Sequence, residues 1–565
     1  MKGSQAIIQA LLEEGVDTIF GYPGGAIMPV YDAIYDYSAE INHVLTRHEQ
    51  GAAHAAQGYA RVSGKTGVCF VTSGPGATNL VTGIADAMID STPLVCISGQ
   101  VASPLLGTDA FQESDVIGIT MPITKWNYQI TDVNEIPWVL AKAFYIASSG
   151  RPGPVLIDIA KDVQFAEIDF KYEKCTSIRS YIRDYHIDED KITEAAELIN
   201  KSQKPLLLLG HGVLIANAEK ELLDLVEKGG IPTAWTLLGL SIMPTNHPLN
   251  MGMLGMHGNY APNVLTNQAD LIIAVGMRFD DRVTGTLDTY AKQAKIIHLE
   301  LDPAEINKLV KADVAIIGNA KRSLAKLCQA IEQCNHNEWA QEFKRLHDIE
   351  MEKVINLDVN PIKGGLTMAE VIRRASEASK GDAIVVTDVG QQQMMAARYS
   401  IFNRSRSFVS SGGLGTMGFG LPAAVGAKIG APDRPVVLIV GDGGFQMTIQ
   451  ELGTIAQEEL DIKIIILNNR FLGMVRQWQE LFFDKRYSFT SLKNPNFVGV
   501  ANAYGINANS VDNRKNLQES IDKMFSTKGP YVLEVLVEKG DNVFPMIPNG
   551  YSVSDILLEP LSQND

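Results

Sequence analysis

Two apolar runs that stop at the same kind of residue constrain this chain most. Val436 to Val440, within RPVVLIVGDGGFQMTIQEL, and Ile462 to Leu467, within IKIIILNNRFLGMVRQWQ, are continuous enough to be buried parallel strands. Each ends at small and polar residues where the strand's carboxyl end would lie, the edge at which open α/β sheets bind ligands. Gly441, Gly443 and Gly444 permit a tight turn and a close backbone approach, and Thr448 followed by Glu451 reads as a capping box opening a phosphate-favouring helix. Asp442 and Asn469 are hard oxygen donors on two strand ends and suit Mg²⁺, which keeps much of its shell for diphosphate and water. Either fragment alone would be an ordinary βα turn or strand exit.

The chain has 565 residues, 45% of them apolar, so several compact α/β domains are expected, and the pattern suggests three. A formal charge of −16 argues against a nucleic-acid or an anionic membrane surface as partner. Cys69, Cys96, Cys175, Cys328 and Cys334 show no metal-ligand spacing, which predicts reduced, packed thiols and a cytoplasmic setting. MKGSQA leads into a helical pattern without the basic start and apolar core of a signal peptide, and no apolar run reaches membrane-spanning length. A soluble protein is expected.

Taken in order, residues 1–165 alternate helical patterns with strands at TIF 18, HVLT 43, GVCFVT 67, PLVCIS 93 and PVLIDI 154, the grammar of a doubly wound parallel sheet. Glu49, after Arg47 and His48, suits a helix start, where the macrodipole favours a carboxylate. A linker around 163–190 precedes a second unit, 190–335, with strands at 205, 270, 295 and 314. Gly210-His211-Gly212 is too little for a dinucleotide motif, and His257 and His298, taken alone, read as packed or surface histidines. A charged helical linker near 339–360 leads to a third unit, 363–540, and a tail, 541–565. The third unit echoes the first in its alternation, as an old duplication would.

GDG and NN, with Asp442 and Asn469 27 residues apart, resemble the diphosphate motif of thiamine diphosphate enzymes. That resemblance implies Asp442, Asn469 and the backbone carbonyl of Phe471 as metal ligands. RHEQGAAHAAQGYAR, between GYPGG at 21 and TSGPGATN at 72, resembles the family's pyrimidine-binding domain, in which Glu49 would contact N1′ of the aminopyrimidine and favour its imino tautomer. Within the family the chain resembles the catalytic subunits of acetohydroxyacid (acetolactate) synthase over almost its whole length. The residues that carry this are GTDAFQE at 107, SGRPGPVLIDIAKDV at 149, MLGMHG at 253, GMRFDDRVTG at 276, SGGLGTMGFGLPAA at 411, GMVRQWQ at 473 and FPMIP at 544.

The resemblance implies decarboxylation of pyruvate on thiamine diphosphate and ligation of the two-carbon unit to pyruvate or 2-ketobutyrate, the first common step of branched-chain amino-acid synthesis. It assigns Glu49, Gln112, Lys161 and Arg282 to catalysis, with the Arg282 guanidinium on the acceptor carboxylate. Gly415, Met417, Gly441, Gly443, Gly444, Gln391 and Met447 fall to the thiamine cofactor, and Arg151, Arg278 and His257 to FAD in the central domain. Met474, Trp478, Phe111 and Val475 fall to the substrate pocket. It further implies a homodimer or dimer of dimers, with Glu49 and Asp442 of one chain serving different sites, and a possible regulatory small subunit. Two departures stand out: Gln391-Gln392-Gln393 where the family often has QHQ, and FPMIPNG where a double proline is more usual. A flavin-dependent pyruvate oxidase, a 2-keto-acid decarboxylase and a catalytically silent flavin- or nucleotide-binding protein are the alternative readings.

Overall fold

The computed structural model describes residues 1–560 and contains three six-stranded sheets in which every strand pairing is parallel. The first is built from β1 (Thr18–Gly21), β2 (Asn42–Leu45), β3 (Gly67–Val71), β4 (Leu94–Gln100), β5 (Trp126–Ile130) and β6 (Pro154–Ala160). The second comprises β7 (Pro205–Leu209), β8 (Thr233–Trp235), β9 (Asn250–Met253), β10 (Leu271–Val275), β11 (Lys295–Glu300) and β12 (Val314–Ile317). The third comprises β13 (Ile384–Thr387), β14 (Phe408–Val409), β15 (Val436–Gly441), β16 (Ile462–Asn468), β17 (Asn507–Val511) and β18 (Tyr531–Leu536). Helices cover the sheet faces, as the alternation of apolar runs and helical patterns requires.

The first sheet runs β2-β1-β3-β4-β6-β5 and the third β14-β13-β15-β16-β18-β17, so the two have the same strand order. The echo between the two sequence units is therefore also an echo in topology. The second sheet runs β12-β11-β10-β7-β8-β9, which is the doubly wound 3-2-1-4-5-6 order with its switch point between β7 and β10.

The Glu49–Ser63 helix, which follows β2, packs on the Gly420–Gly430 helix, which follows β14. A Cβ on Gly58 would lie 2.1 Å from the Ala423 carbonyl oxygen, and one on Gly426 would lie 1.7 Å from that of Ala55. Only glycine permits this crossing, and one apolar cluster joins the facing sides of the first and third sheets.

The linker near 339–360 is helical, as expected: Asn337–Glu350 continues through a π turn, Met351–Ile355, into Asn356–Val359. It is also packed, because Trp339, Phe343 and Leu346 are buried. No helix among the described residues is long and apolar enough to cross a membrane. Cys69 and Cys96 are buried on adjacent strands as free thiols, and Cys175, Cys328 and Cys334 are free and partly exposed.

Candidate active site

The carboxyl edge of the third sheet gathers oxygen donors. β15 passes at Gly441, in extended conformation, directly into the helix Asp442–Met447. This corrects the capping-box reading. Thr448 does stand at the N-cap of the short turn Ile449–Glu451, but its side chain makes no capping bond there, and its hydroxyl donates instead to the Gly418 carbonyl (3.0 Å). The Glu451 carboxylate accepts the Arg47 amide (3.1 and 3.2 Å) and the Thr454 hydroxyl (2.7 Å). Tertiary partners outcompete the local motif there, and the helix N-terminus lies at Asp442 itself.

Asp442 is buried, and burial pushes its carboxyl up to about 6 despite the hydrogen bond from Asn494 Nδ2 (2.6 Å). Asn494 also donates to Asn468 Oδ1 (2.9 Å) and accepts from Gln446 (3.0 Å), tying the two strand ends together. Asn469 Oδ1 accepts the Phe471 amide (3.0 Å), while among the described residues nothing donates to the Phe471 carbonyl. Asp442, Asn469 and Phe471 thus supply one carboxylate, one amide and one carbonyl oxygen, a hard donor set suited to Mg²⁺. Among the described residues no three His, Cys, Asp or Glu side chains form a rival metal cluster.

Asp388, at the end of β13, holds the Gly-rich turn beside this set. Its carboxylate accepts the amides of Val389 (2.9 Å), Gly418 (2.9 Å) and Gly420 (2.8 Å), and burial pushes it up to about 6. A Cβ on Gly444 would strike Asp388 Oδ1 at 2.2 Å, and one on Gly443 would strike Leu472 at 2.7 Å, so both glycines are needed for close packing. Gln391 donates to Gln477 (2.9 Å) and to the Asp541 carbonyl (2.8 Å). Gln392, standing where the family often has histidine, donates to the Val389 carbonyl (3.0 Å). Met447 closes the short helix and is 55% exposed.

A second group sits on the first sheet's carboxyl edge. Glu49 is the first residue of its helix, behind the N-cap His48, and its carboxylate accepts from Asn79 Nδ2 (2.9 Å). Gln112 has a positive φ of 61° and lies against Gly74, where a Cβ would meet its carbonyl oxygen at 2.8 Å. Lys161 opens a short helix immediately after β6, and Phe111 is 87% exposed. Within one chain, among the described residues, no hydrogen bond or ion pair joins Glu49, Gln112 or Lys161 to Asp442 or Asn469. What meets the start of the Glu49 helix is Glu451, whose Oε1 would be 2.4 Å from a Cβ on Gly51.

A cavity of about 930 Å³ connects the remaining candidates. It begins at the switch point of the second sheet, where a Cβ on Gly210 would lie 2.1 Å from the Gly276 carbonyl oxygen, and it runs past Arg151, Arg278, His257 and Arg282. It continues along Ser411–Gly415 and Met417 to Met474, Val475 and Trp478. Arg151 is engaged by Glu305 (2.9 Å), Asp302 (3.3 Å) and Ser91 (2.8 Å), whereas Arg278 lies 3.8 Å from Asp280. Among the described residues, the Arg282 guanidinium has only a 3.7 Å approach to Asp281 and a 3.7 Å contact with Met256 Sδ. His257 is buried with Nδ1 unpartnered, and burial pulls it down to about 4, so it is neutral near pH 7. His298 is packed, edge-on to Phe279 at 5.1 Å. Met474 and Trp478 lie one turn apart on the Gly473–Phe482 helix and share the cavity wall. The tail runs alongside: Val543 exchanges hydrogen bonds with Gln477 (2.9 and 3.1 Å), and the Ile547 amide donates to Met256 (2.8 Å).

Asn494, Gln477, Glu451 and Asp388 are site supports that the sequence analysis does not assign. Asp388 was within reach as a carboxylate ending an apolar strand before a glycine. Asn494 lies in KNPN, a loop with no periodic signal.

Residues 388–535 match the thiamine pyrophosphate enzyme C-terminal TPP binding domain, residues 192–327 the central domain and residues 1–119 the N-terminal TPP binding domain. Over 563 residues the chain is 46% identical to the acetolactate synthase isozyme 2 large subunit of Escherichia coli, covering 100% of each. It is 48% identical over 568 residues to the acetolactate synthase large subunit of Corynebacterium glutamicum, covering 98% of this chain and 90% of that one. A probable acetolactate synthase large subunit of Methanocaldococcus jannaschii is 45% identical over 566 residues, covering 99% and 95%. With three thiamine-enzyme domains in order and this identity from end to end, the chain belongs to the acetolactate synthase large subunits of the thiamine pyrophosphate enzyme family.

Proposed function

We propose that the chain joins two 2-keto acids at sites shared between two copies, using thiamine diphosphate, Mg²⁺ and FAD, with pyruvate as donor and pyruvate or 2-ketobutyrate as acceptor. The observation that carries this reading is the single cavity leading from the second sheet's switch point to the Met474 and Trp478 wall, with the all-oxygen donor set of β15 and β16 on the same unit as that wall. Asp442, Asn469 and the Phe471 carbonyl would hold Mg²⁺, and Gly441, Gly443, Gly444, Gly415, Met417, Gln391 and Met447 would surround the thiamine cofactor. Thiamine diphosphate, when bound, supplies a nucleophilic thiazolium carbon and a ring that takes up the electron pair left by loss of carbon dioxide.

The chain's own groups bind, orient and move protons. Glu49 would hold a proton at N1′ of the aminopyrimidine, a task that fits its helix-start position and, among the described residues, its one protein donor, Asn79. Arg282, loosely held by Asp281, presents a planar fork to the acceptor carboxylate. Met474, Trp478, Val475 and the partner copy's Phe111 face keep water from the reacting carbons, while Gln112 and Lys161 stand at the entrance. Gln392 is a neutral amide committed to Val389 and relays no proton.

FAD fits the switch-point crevice. The 3-2-1-4-5-6 order, the close Gly210–Gly276 approach and the unpartnered, buried His257 Nδ1 meet there, with Arg278 and Arg151 on the wall. Neither decarboxylation nor ligation transfers electrons overall, so a non-reducible flavin analogue should support the reaction.

The dimer reading rests on the family resemblance, in which Glu49 of one chain faces the diphosphate unit of another, and the exposed apolar Phe111, Met447, Val475 and Phe489 suit such a contact. A separate small subunit is the further partner, since the relatives are named large subunits. Incubation with pyruvate, thiamine diphosphate, Mg²⁺ and FAD should yield acetolactate as the main product. Acetaldehyde or hydrogen peroxide in its place would overturn the reading in favour of a decarboxylase or an oxidase.

A further inference from the structure

Behind the Gly-rich turn, the first unit carries a buried charged cluster whose side-chain hydrogen bonds to the third unit, among the described residues, go to residues 410–416. Asp86 lies on the Val81–Ile89 helix, Asp90 caps that helix, and Arg61 comes from the Glu49–Ser63 helix. The two carboxylate oxygens of Asp90 accept the backbone amides of Gly412 (2.9 Å) and Gly413 (2.7 Å). Arg61 donates to the Ser410 carbonyl (2.6 Å) and to Asp90 (2.9 Å). Asp86 Oδ1 accepts the hydroxyls of Ser411 and of Thr416 (2.8 Å), and Ser411 Oγ in turn accepts the Thr416 amide (2.8 Å).

All three side chains are buried. Buried carboxylates and a guanidinium need hydrogen-bonding partners, and the turn's own amides and hydroxyls supply them, so the cluster and the turn depend on each other. The turn needs such a partner. Gly412, Gly413, Gly415 and Gly418 fall within seven residues, Gly415 and Gly418 have φ of 68° and 89°, and glycine loses the most backbone entropy on ordering.

This turn lines the cavity from Ser411 to Gly415 and at Met417, between the flavin crevice and the thiamine cofactor's groups. We propose that Asp86, Asp90 and Arg61 are positioning residues for cofactor binding, acting through the 410–416 turn of their own chain. The inference rests on the proposed function above. Under it, the first unit serves two sites: Glu49 acts in the partner's, and the Asp86–Asp90–Arg61 clamp shapes the one on its own third unit.

The test uses the full chain with Asp90→Asn, Asp86→Asn and Thr416→Val. Thiamine diphosphate affinity is read from tryptophan quenching at fixed Mg²⁺, FAD retention from flavin fluorescence on dilution, and cofactor-free stability from thermal unfolding. Asp90→Asn should weaken thiamine diphosphate binding by about 10–100-fold, the loss of one charge-assisted hydrogen bond, and speed flavin release. At saturating cofactor its KM for pyruvate should stay within about twofold, since no clamp residue touches substrate in this reading. A lower unfolding temperature with both cofactor affinities unchanged would make the cluster merely structural and overturn the proposal. Should the Asp variants fail to fold, the near-isosteric Thr416→Val decides: several-fold weaker binding supports the clamp and unchanged binding refutes it. If the unaltered chain bound no thiamine diphosphate, the proposed function itself would fall; normal binding by that chain with unshifted variants would remove only the clamp.

Discussion

The first and third sheets have the same strand order, and the helices that pack them together occupy the same place in each, yet their carboxyl edges carry different chemistry. After its third strand the first sheet has Thr72-Ser73-Gly74-Pro75, and after its second the carboxylate of Glu49; the third has Gly441-Asp442-Gly443-Gly444 and a glycine-rich turn at those places. Under the proposed function, one scaffold offers a proton-handling edge and an anion- and metal-binding edge. The strand order fixes where a site forms, and a few residues at each exit decide what it does.

If the edges have these separate duties, removing each should fail in its own way. Glu49→Gln should lower acetolactate formation by roughly 10²–10⁴-fold while thiamine diphosphate and Mg²⁺ still bind, as expected for loss of a proton-transferring group. Loss of cofactor binding in parallel would show that the first edge is a binding edge too.

Trp478 sharpens the comparison on the third unit. The acceptors differ by one methylene, which an apolar wall discriminates by about 10–200-fold. Trp478→Leu should fold, make acetolactate and lose most of any preference for 2-ketobutyrate when both acceptors compete. An unchanged product ratio would remove Trp478 from acceptor selection.

The reciprocal glycines test whether the two units depend on their close crossing. Gly426→Ala places a Cβ against the Ala55 carbonyl oxygen and should cost about 1–3 kcal/mol, read from the urea midpoint. No loss would mean that the helices separate without penalty.

The smallest effect concerns pH at the third edge. Burial raises Asp442 to about 6, so the ion-free folded chain holds that proton where the unfolded chain has lost it. The group's contribution to stability is therefore present below the ordinary carboxylate range and lost as pH rises through about 6. Mg²⁺ requires the ionised form, so in the presence of thiamine diphosphate its affinity should rise about tenfold per pH unit up to about 6 and then level off. A flat calorimetric profile between about pH 5 and 7 would show that Asp442 is already ionised there and that burial does not raise it.

The central strands were legible because strands covered on both faces are continuous apolar runs; VVLIV and IIIL need no other signal. β5, β8, β9, β14 and β17 were not, because they lie at or near sheet edges, are short or half-exposed, and NANSV has no apolar stripe. The places of Asp442 and Asn469 at the exits of two neighbouring strands were readable from the apolar runs that precede them. Their support by Asn494, and the diversion of Thr448 to Gly418 and of Glu451 to Arg47, depend on distant segments that no local pattern reports.

The shared site is the central claim, and mixing two dead chains tests it most directly. A Glu49→Ala chain and an Asp442→Ala chain, each inactive alone, should regain part of the unaltered activity when dissociated and reassociated together, because each mixed dimer contains one intact pair of edges. No recovery, with the mixed dimers confirmed by mass, would show that Glu49 and Asp442 of one chain act in the same site.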